Sequence, residues 1–409
     1  MTQMRDSMFT RRRLLQGAIM SSAAVVLPGE LLAQSAAQPF EQWVTAFRAK
    51  ALARGISGST YDRVMAGLKP DMDVFALQRS QPEFKEQLWQ YLNRRVSEWR
   101  IVTGRERAKQ YAPLFDRLEK HFGVSRVTLL GLWGMETAYG DPVVFQNHMR
   151  PIFPCLAALA WGEPRRRTYW ETELINALRI VERGWGTPSE MRGSWAGAMG
   201  HTQWMPEVWL NIGADYDGDG RPYPFGRPDD ALAGTCRYLI QRGNYRRGEP
   251  WGYEVKGPAP SGSRSYAEWE KAGITRADGK PFTVPGARAR GWVPVAGGPK
   301  FLIGANFDAV KSYNPSMNYA LAICHLGDCV MGADPSFVQA FPNSERAPTL
   351  AEVQEIQTRL TRLGFDTGGT DGRVGLQTMR AVANFQRKVN MQPDGYAGVK
   401  LLARLRQAG

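Results

Sequence analysis

Residues 124–140 constrain the fold most. The run Val-Ser-Arg-Val-Thr-Leu-Leu-Gly-Leu-Trp-Gly-Met-Glu-Thr-Ala-Tyr-Gly is almost wholly apolar after Arg126, and Glu136 is its only acid. Such a stretch has to bury most of its surface to be stable in water. Ser125 is suited to an N-cap and Gly140 to a C-terminal stop, so the run reads as one buried helix with Glu136 in its last turn. The chain around it must supply the packing partners.

Those partners read mainly as helices. Gln42–Gly55 and Gln81–Arg107 carry apolar residues at three- and four-residue spacing, and Tyr169–Gly184, Pro228–Gly243 and Tyr319–Gly327 read the same way. Glu249–Lys300 is different: it is rich in Gly, Pro and Ser, with strand-like pieces such as Trp292-Val-Pro-Val295. A small irregular or β-rich insertion is expected there. Asp334–Pro348 is polar and Pro-containing, like a linker. Beyond it, Leu350–Leu405 has two apolar helical stripes, Val353, Ile356, Leu360 and Leu363, then Val382, Phe385 and Val389. Two similar loops, Asp371-Gly-Arg-Val-Gly375 and Asp394-Gly-Tyr-Ala-Gly398, each precede a helix, so this is a small helical module with an internal repeat. The expected fold class is mainly α, of α+β type. Its parts are an export signal at 1–37, a catalytic domain at 38–333, a linker at 334–348 and a three-helix module at 349–409.

With 409 residues the chain can bury a sizeable core, and its net charge of +13 favours an anionic partner. Thr10-Arg-Arg-Arg-Leu-Leu-Gln16 resembles a twin-arginine export signal, followed by a short apolar run from Gly17 to Leu27 and small residues at Ala33, Ala36 and Ala37. The run is too short to span a bilayer, and no Cys follows it for a lipid anchor. This reads as a soluble, exported, periplasmic protein without a transmembrane anchor; of the anionic partners that qualify, nucleic acid, anionic lipid and the carboxylate-bearing cell wall, export argues against nucleic acid. Cys155, Cys236, Cys324 and Cys329 admit either free thiols or a disulfide in an oxidising compartment, and the absence of a Cys-x-x-Cys pair disfavours zinc.

The chemistry centres on Glu136. Apolar surroundings and the negative end of a helix dipole both disfavour a carboxylate, which suits a proton donor to a glycosidic oxygen. A surface Glu at a helix end is the plain alternative. Glycosidases usually pair two carboxylates, yet only Asp141 lies near in sequence, so a single acid needs help from the substrate, such as a 2-acetamido nucleophile. Residues 193–206, Gly-Ser-Trp-Ala-Gly-Ala-Met-Gly-His-Thr-Gln-Trp-Met-Pro, support a saccharide site. Ser194 and Gln203 can bond acetamido and hydroxyl groups, Gly197, Ala198 and Gly200 would admit a ligand close to the backbone, and Trp204 offers a stacking face. Asp215-Tyr-Asp217-Gly-Asp219-Gly-Arg221 opens like a calcium loop, with oxygens at positions one, three and five and the Arg221 carbonyl at seven; Gly226 replaces the usual Glu at position twelve, Asp229 three residues later could close the shell, and a solvated acidic turn is the alternative.

Taken together, Gly134-Met-Glu136-Thr, Gly197-Ala-Met-Gly200 through Gln203-Trp-Met-Pro206, the Asp215–Asp229 loop and Tyr313-Asn-Pro-Ser-Met-Asn-Tyr319-Ala resemble the lytic murein transglycosylases of the B type, in order across roughly residues 40 to 332. The C-terminal module resembles the peptidoglycan-binding domain, through Ile356-Gln, Leu363-Gly-Phe365, Asp371-Gly, Phe385-Gln and Asp394-Gly. The resemblance implies a lysozyme-like catalytic core that cleaves the β-1,4 bond between N-acetylmuramic acid and N-acetylglucosamine of peptidoglycan strands without water, leaving 1,6-anhydromuramyl ends. It implies that Glu136 is the single acid and base, that Ser194, Gln203, Tyr313, Asn314 and Tyr319 line the saccharide groove, and that Asp215, Asp217, Asp219, Arg221 and Asp229 hold a structural Ca2+, with no cofactor for catalysis. Cell-wall synthesis or hydrolysis complexes are compatible partners. A hydrolytic muramidase on the same fold and a non-catalytic wall-binding protein are the alternatives.

Overall fold

The computed structural model describes residues 38–79 and 85–408. The export signal expected at 1–37 lies outside the described residues. The chain divides into two compact units, one made of residues up to 81 with 136–238, the other of 82–135 with 239–409. The apolar run forms the helix Arg126–Thr137, which supplies residues to both units. Among the described residues no helix is long and apolar enough to cross a membrane.

The first unit is built on helices Phe40–Ala53, Gly58–Met65, Ile152–Gly162 and Arg167–Glu182, with the greater part of Asp229–Gln241. Ile152–Gly162 is apolar on nearly every face and is buried almost throughout, packed against Arg167–Glu182. This is what a helix without a polar stripe requires. Two short strands, β1 (Arg150–Pro151) and β2 (Arg192–Gly193), pair antiparallel and lead into the loop 193–206.

The second unit holds helices Leu88–Arg95, Glu98–Gln110, Ala112–Phe122, Ala305–Tyr313 and Met317–Val330. The long helix expected over 81–107 is two helices. The chain turns at Val96–Ser97, and the Arg100 guanidinium satisfies the carbonyls left open there, donating to Arg95 O at 3.0 Å. Helices Arg126–Thr137 and Met317–Val330 approach with glycines at the contact. A Cβ on Gly131 would lie 2.1 Å from Ile323 O, and one on Gly327 would lie 2.0 Å from Val127 O, so no larger residue fits either place. The expected β-rich insertion is a five-stranded antiparallel sheet. Its strands are β3 (Gly252–Lys256), β4 (Ser263–Ser265), β5 (Thr275–Arg276), β6 (Arg288–Trp292) and β7 (Lys300–Gly304), in the spatial order β4-β6-β7-β3-β5. Helix Tyr266–Lys271, started by a Ser265–Glu268 capping box, covers a small core of Val255, Tyr266, Trp269, Ile274, Phe282 and Leu302.

The three expected module helices are Leu350–Arg362, Leu376–Lys388 and Val399–Gln407, closed around Ile356, Leu360, Val382, Phe385, Leu401 and Leu405. The module is docked within the second unit. Gln90 Nε2 donates to Asp394 at 2.8 Å, Asn93 Nδ2 donates to Tyr396 Oη at 2.8 Å, and Trp89 meets the Tyr396 ring edge-on at 5.0 Å. Arg373 lies 4.2 Å over the Trp99 ring. The stretch read as a linker is fastened too. Glu254 accepts the Val338 and Gln339 amides at 2.9 Å each, Phe337 packs against Phe301 and His325, and Glu345 accepts the Lys400 amide at 2.8 Å. Composition alone hid this, because the groups that hold the stretch lie far away in sequence.

Candidate active site

Glu136 sits one residue before the end of its helix and is half-buried, between the buried Met135 and Thr137. The helix does not fray. Ala138, Tyr139 and Gly140 follow with φ of 52°, 63° and 73°, three left-handed residues in a row. A non-glycine residue adopts that region only when its surroundings hold it there. Thr137 does much of the holding: its hydroxyl donates to His201 O at 2.6 Å and accepts the Gly140 amide at 3.1 Å. His201 Nε2 in turn bonds Gly226 O at 2.8 Å, and the His201 amide donates to Pro224 O at 2.9 Å. The end of the Glu136 helix is thereby tied to the loop 193–206. Asp141 is buried and caps the next helix, accepting the Val143 amide at 2.8 Å.

The loop 193–206 is held by its own backbone. Met199 and Trp204 exchange amide bonds at 2.8 and 2.7 Å, and Ser194 N donates to Ala198 O at 2.8 Å. Ser194 and Gln203 are both half-buried. Ser194 Oγ accepts the Ala198 amide at 3.2 Å, and Gln203 Nε2 donates to Gly200 O at 3.0 Å. Gln203 itself has φ 56°. Two readings of this loop need correction. Trp204 is fully buried, and a Cβ on Gly234 would strike its ring at 2.3 Å, so it offers no stacking face. Gly200 has φ 72° and a Cβ there would lie 2.3 Å from Pro224 O, so the glycine serves the loop's own packing and not close ligand approach.

In the other unit, Tyr313, Asn314 and Tyr319 are all buried and lie at the junction of helices Ala305–Tyr313 and Met317–Val330. Asn314 Oδ1 accepts the Ser316 amide at 3.2 Å, and Ser316 caps the second helix through the Tyr319 amide. This fixes the direction in which both tyrosines leave the backbone.

The acidic loop is preformed. One carboxylate oxygen from each of Asp215, Asp217, Asp219 and Asp230 lies within 4.8 Å of the others. The expected Asp229 is not in this cluster; its neighbour Asp230 is. Consecutive residues at a helix start point about 100° apart, so only one can face the loop. Asp229 turns to Arg227, at 3.2 Å, while Asp230 accepts the Tyr216 and Tyr223 amides at 2.7 and 2.8 Å. Burial pushes the Asp230 carboxyl up, against those amide bonds. The Arg221 side chain lies over the Tyr223 ring and 3.8 Å from Asp219. Four hard carboxylate oxygens suit a calcium ion. Thr137, His201 and Asp230 escaped the sequence reading; an acid doublet at a helix start was the signal available for Asp230.

The transglycosylase SLT domain matches residues 39–328, and so takes in the Glu136 helix, the loop, the acidic cluster and the sheet. The chain belongs to this family. A peptidoglycan binding domain matches residues 349–405 of the same transglycosylase-family chain. The crystal structure of SltB3 from Pseudomonas aeruginosa in complex with NAG-anhNAM-pentapeptide is 36% identical, covers 90% of this chain and 100% of that one, and superposes with a TM-score of 0.69. Slt35 of Escherichia coli in complex with calcium shares the fold at 24% identity, over 75% of this chain and 98% of that one, with a TM-score of 0.60. The membrane-bound lytic murein transglycosylase B of Escherichia coli (strain K12) is 29% identical over 228 residues, or 54% of this chain. The matched part spans 61% of that relative's length. All four cysteines of this family member are buried, and none is in a disulfide.

Proposed function

We propose that this chain is an exported lytic transglycosylase that cleaves the β-1,4 bond between N-acetylmuramic acid and N-acetylglucosamine in peptidoglycan, with Glu136 as acid and then base. The observation that carries the reading is the placement of a half-buried Glu136 at a helix end locked through Thr137 and His201 to the loop bearing Ser194 and Gln203. Family membership and the likeness to SltB3, solved with an anhydromuramyl fragment, support the same chemistry.

In this mechanism Glu136 gives its proton to the glycosidic oxygen as the bond to the muramyl C1 breaks. The muramyl acetamido oxygen bonds to C1 and closes a ring that carries the positive charge. The ionised Glu136 then takes the proton of the 6-hydroxyl, whose oxygen displaces the acetamido group at C1. No water enters, and Glu136 ends protonated as it began. Asp141, the acid nearest to Glu136 in sequence, accepts the Val143 amide as the cap of the next helix, which supports a mechanism on Glu136 alone. Ser194, Gln203, Tyr313, Asn314 and Tyr319 hold the sugars. Calcium, when bound, is held by Asp215, Asp217, Asp219 and Asp230, with the Arg221 carbonyl as a further ligand, and supplies fixed positive charge that ties the loop. The C-terminal module localises the enzyme on the wall, and the twin-arginine signal at 1–37 directs it to the periplasm. Substituting Glu136→Gln tests the assignment: the protein stays folded and loses cleavage of purified sacculi, whereas wild-type turnover removes Glu136 from the mechanism.

A further inference from the structure

A cavity of about 1000 Å3 in the second unit lies at the start of helix Arg126–Thr137 and the end of helix Met317–Val330. It is lined by Ser125 and Thr128 at the start of the Glu136 helix and by His325 and Asp328 near the end of Met317–Val330. Thr128 precedes Glu136 by eight residues of one helix, about 12 Å along its axis at 1.5 Å per residue. None of the proposed saccharide or calcium residues lines this space.

Its chemistry runs against that of the chain. The protein carries a net charge of +13, yet six carboxylates line the cavity against three cations, Arg247, Arg276 and Lys280. Two of the cations are occupied. Arg247 donates to Lys120 O at 2.7 Å, and Arg276 is paired with Asp278 and stacked over Tyr253. Lys280 is exposed. Of the acids, Glu119 is held by Arg126, Glu249 lies 3.6 Å from Arg246, and Glu254 is satisfied by two amides. Asp334 is exposed and accepts the Ser336 amide. Asp328 is left: it is half-buried, accepts one hydrogen bond from Trp251 Nε1 at 2.8 Å, and has no ion pair among the described residues.

Burial pushes the His325 imidazole down to about 4, so it is neutral near pH 7 and does not balance Asp328. Burial likewise pushes Asp328 up to about 6. The same lining carries the aromatic side chains Trp251, which bonds this acid, Tyr253, Phe301 and Phe337, and the exposed apolar side chains Met331 and Val338. A carboxylate among aromatic rings is the recognition chemistry of an ammonium group, and apolar neighbours suit the hydrocarbon stem that carries it. A metal ion would need several convergent oxygens, and an anion would meet an excess of negative charge.

We propose that this cavity binds an alkylammonium group, seated against Asp328 and the Trp251 ring. Two sources carry that chemistry: the side-chain amine of a peptidoglycan stem peptide, which rests on the function proposed above, and a free diamine, which does not. Isothermal titration of the full-length protein separates them with three probes: cadaverine, an amine-bearing stem pentapeptide free of sugar, and the same peptide N-acetylated on its amine. The free peptide has no glycosidic bond, so its binding is independent of Glu136. The expected result is saturable binding of cadaverine and of the free-amine peptide, with none of the acetylated one. A tighter peptide assigns the site to the wall, and cadaverine alone assigns it to free amines. Asp328→Asn keeps an acceptor for Trp251 and should weaken binding about 10- to 100-fold, the range for a hydrogen bond to a charged group. Should that variant fold poorly, hexanoate replaces it as the control on wild-type protein, and it should not bind. No binding of either amine, equal binding of hexanoate, or unchanged affinity in a folded Asp328→Asn overturns the proposal.

Discussion

The Thr137 hydroxyl donates to the His201 carbonyl at 2.6 Å, one residue after Glu136. Both residues are buried, and the same hydroxyl accepts the Gly140 amide. Thr137→Val keeps the shape and removes both bonds. Leaving a buried carbonyl and amide unmatched costs about 1–3 kcal/mol. If the bond also aims Glu136, kcat should fall roughly tenfold or more while KM changes little, since small misplacements of a reacting group are costly. Thr137→Ser should restore most of the rate. A Val variant that melts lower but turns over normally would reduce Thr137 to a structural role.

Calcium should raise the melting temperature, and Asp230 should matter more to that shift than Asp229. Binding only to the folded state adds about 2.7 kcal/mol at a hundred times Kd. Melting curves with calcium and with a chelator are compared for wild type, Asp229→Asn and Asp230→Asn. The calcium-dependent shift should survive the first substitution and shrink in the second. A shift lost only in Asp229→Asn would return the shell to the arrangement read from sequence.

The module should contribute to the stability of the unit on which it docks. Asn93 and Tyr396 are bonded at 2.8 Å, with Trp89 against the Tyr396 ring. A double-mutant cycle of Asn93→Ala and Tyr396→Phe should give a coupling of ~1 kcal/mol. Simple additivity would mean that the module is only tethered.

Asp328 sets a pH dependence of opposite sign to the usual carboxylate. Its pKa rises from 3.8 to about 6 in the folded protein, mainly through burial, opposed by the Trp251 N–H and Arg276. Between those values the folded state binds more protons than the unfolded state. Stability is therefore lost as pH rises through the window, and the loss is complete above 6. Asp328→Asn should melt higher than wild type at pH 7, by an equivalent of ~1–3 kcal/mol, and match it near pH 4. A lower melting point for the variant at pH 7 would mean that the carboxylate is held by something stronger than one indole. An acid kept at such a cost is what a binding role for the cavity requires.

Much of this was legible in the chain. The apolar run with Ser125 and Gly140 at its ends gave a helix over Arg126–Thr137, and Gly, Pro and Ser between 249 and 300 marked the sheet. These are local signals of periodicity, capping and composition. What escaped was long-range. Nothing near Asp334–Pro348 announces that Glu254 will hold Val338, or that Asp394 and Tyr396 will face Gln90 and Asn93. The Asp229–Asp230 choice depends on a helix phase set by packing, and the burial of Trp204 depends on Gly234 thirty residues on. Motifs nominated the residues of the candidate site; tertiary contacts decide how each of them is held.

If Glu136 acts without a second carboxylate and without water, the fragments released from purified sacculi carry the record. Their mass spectrum should show muramyl ends lighter by one water than hydrolytic ends, that is, 1,6-anhydromuramyl species, released by wild type and absent with Glu136→Gln. Fragments carrying only reducing muramyl ends would contradict this mechanism and make the enzyme a muramidase.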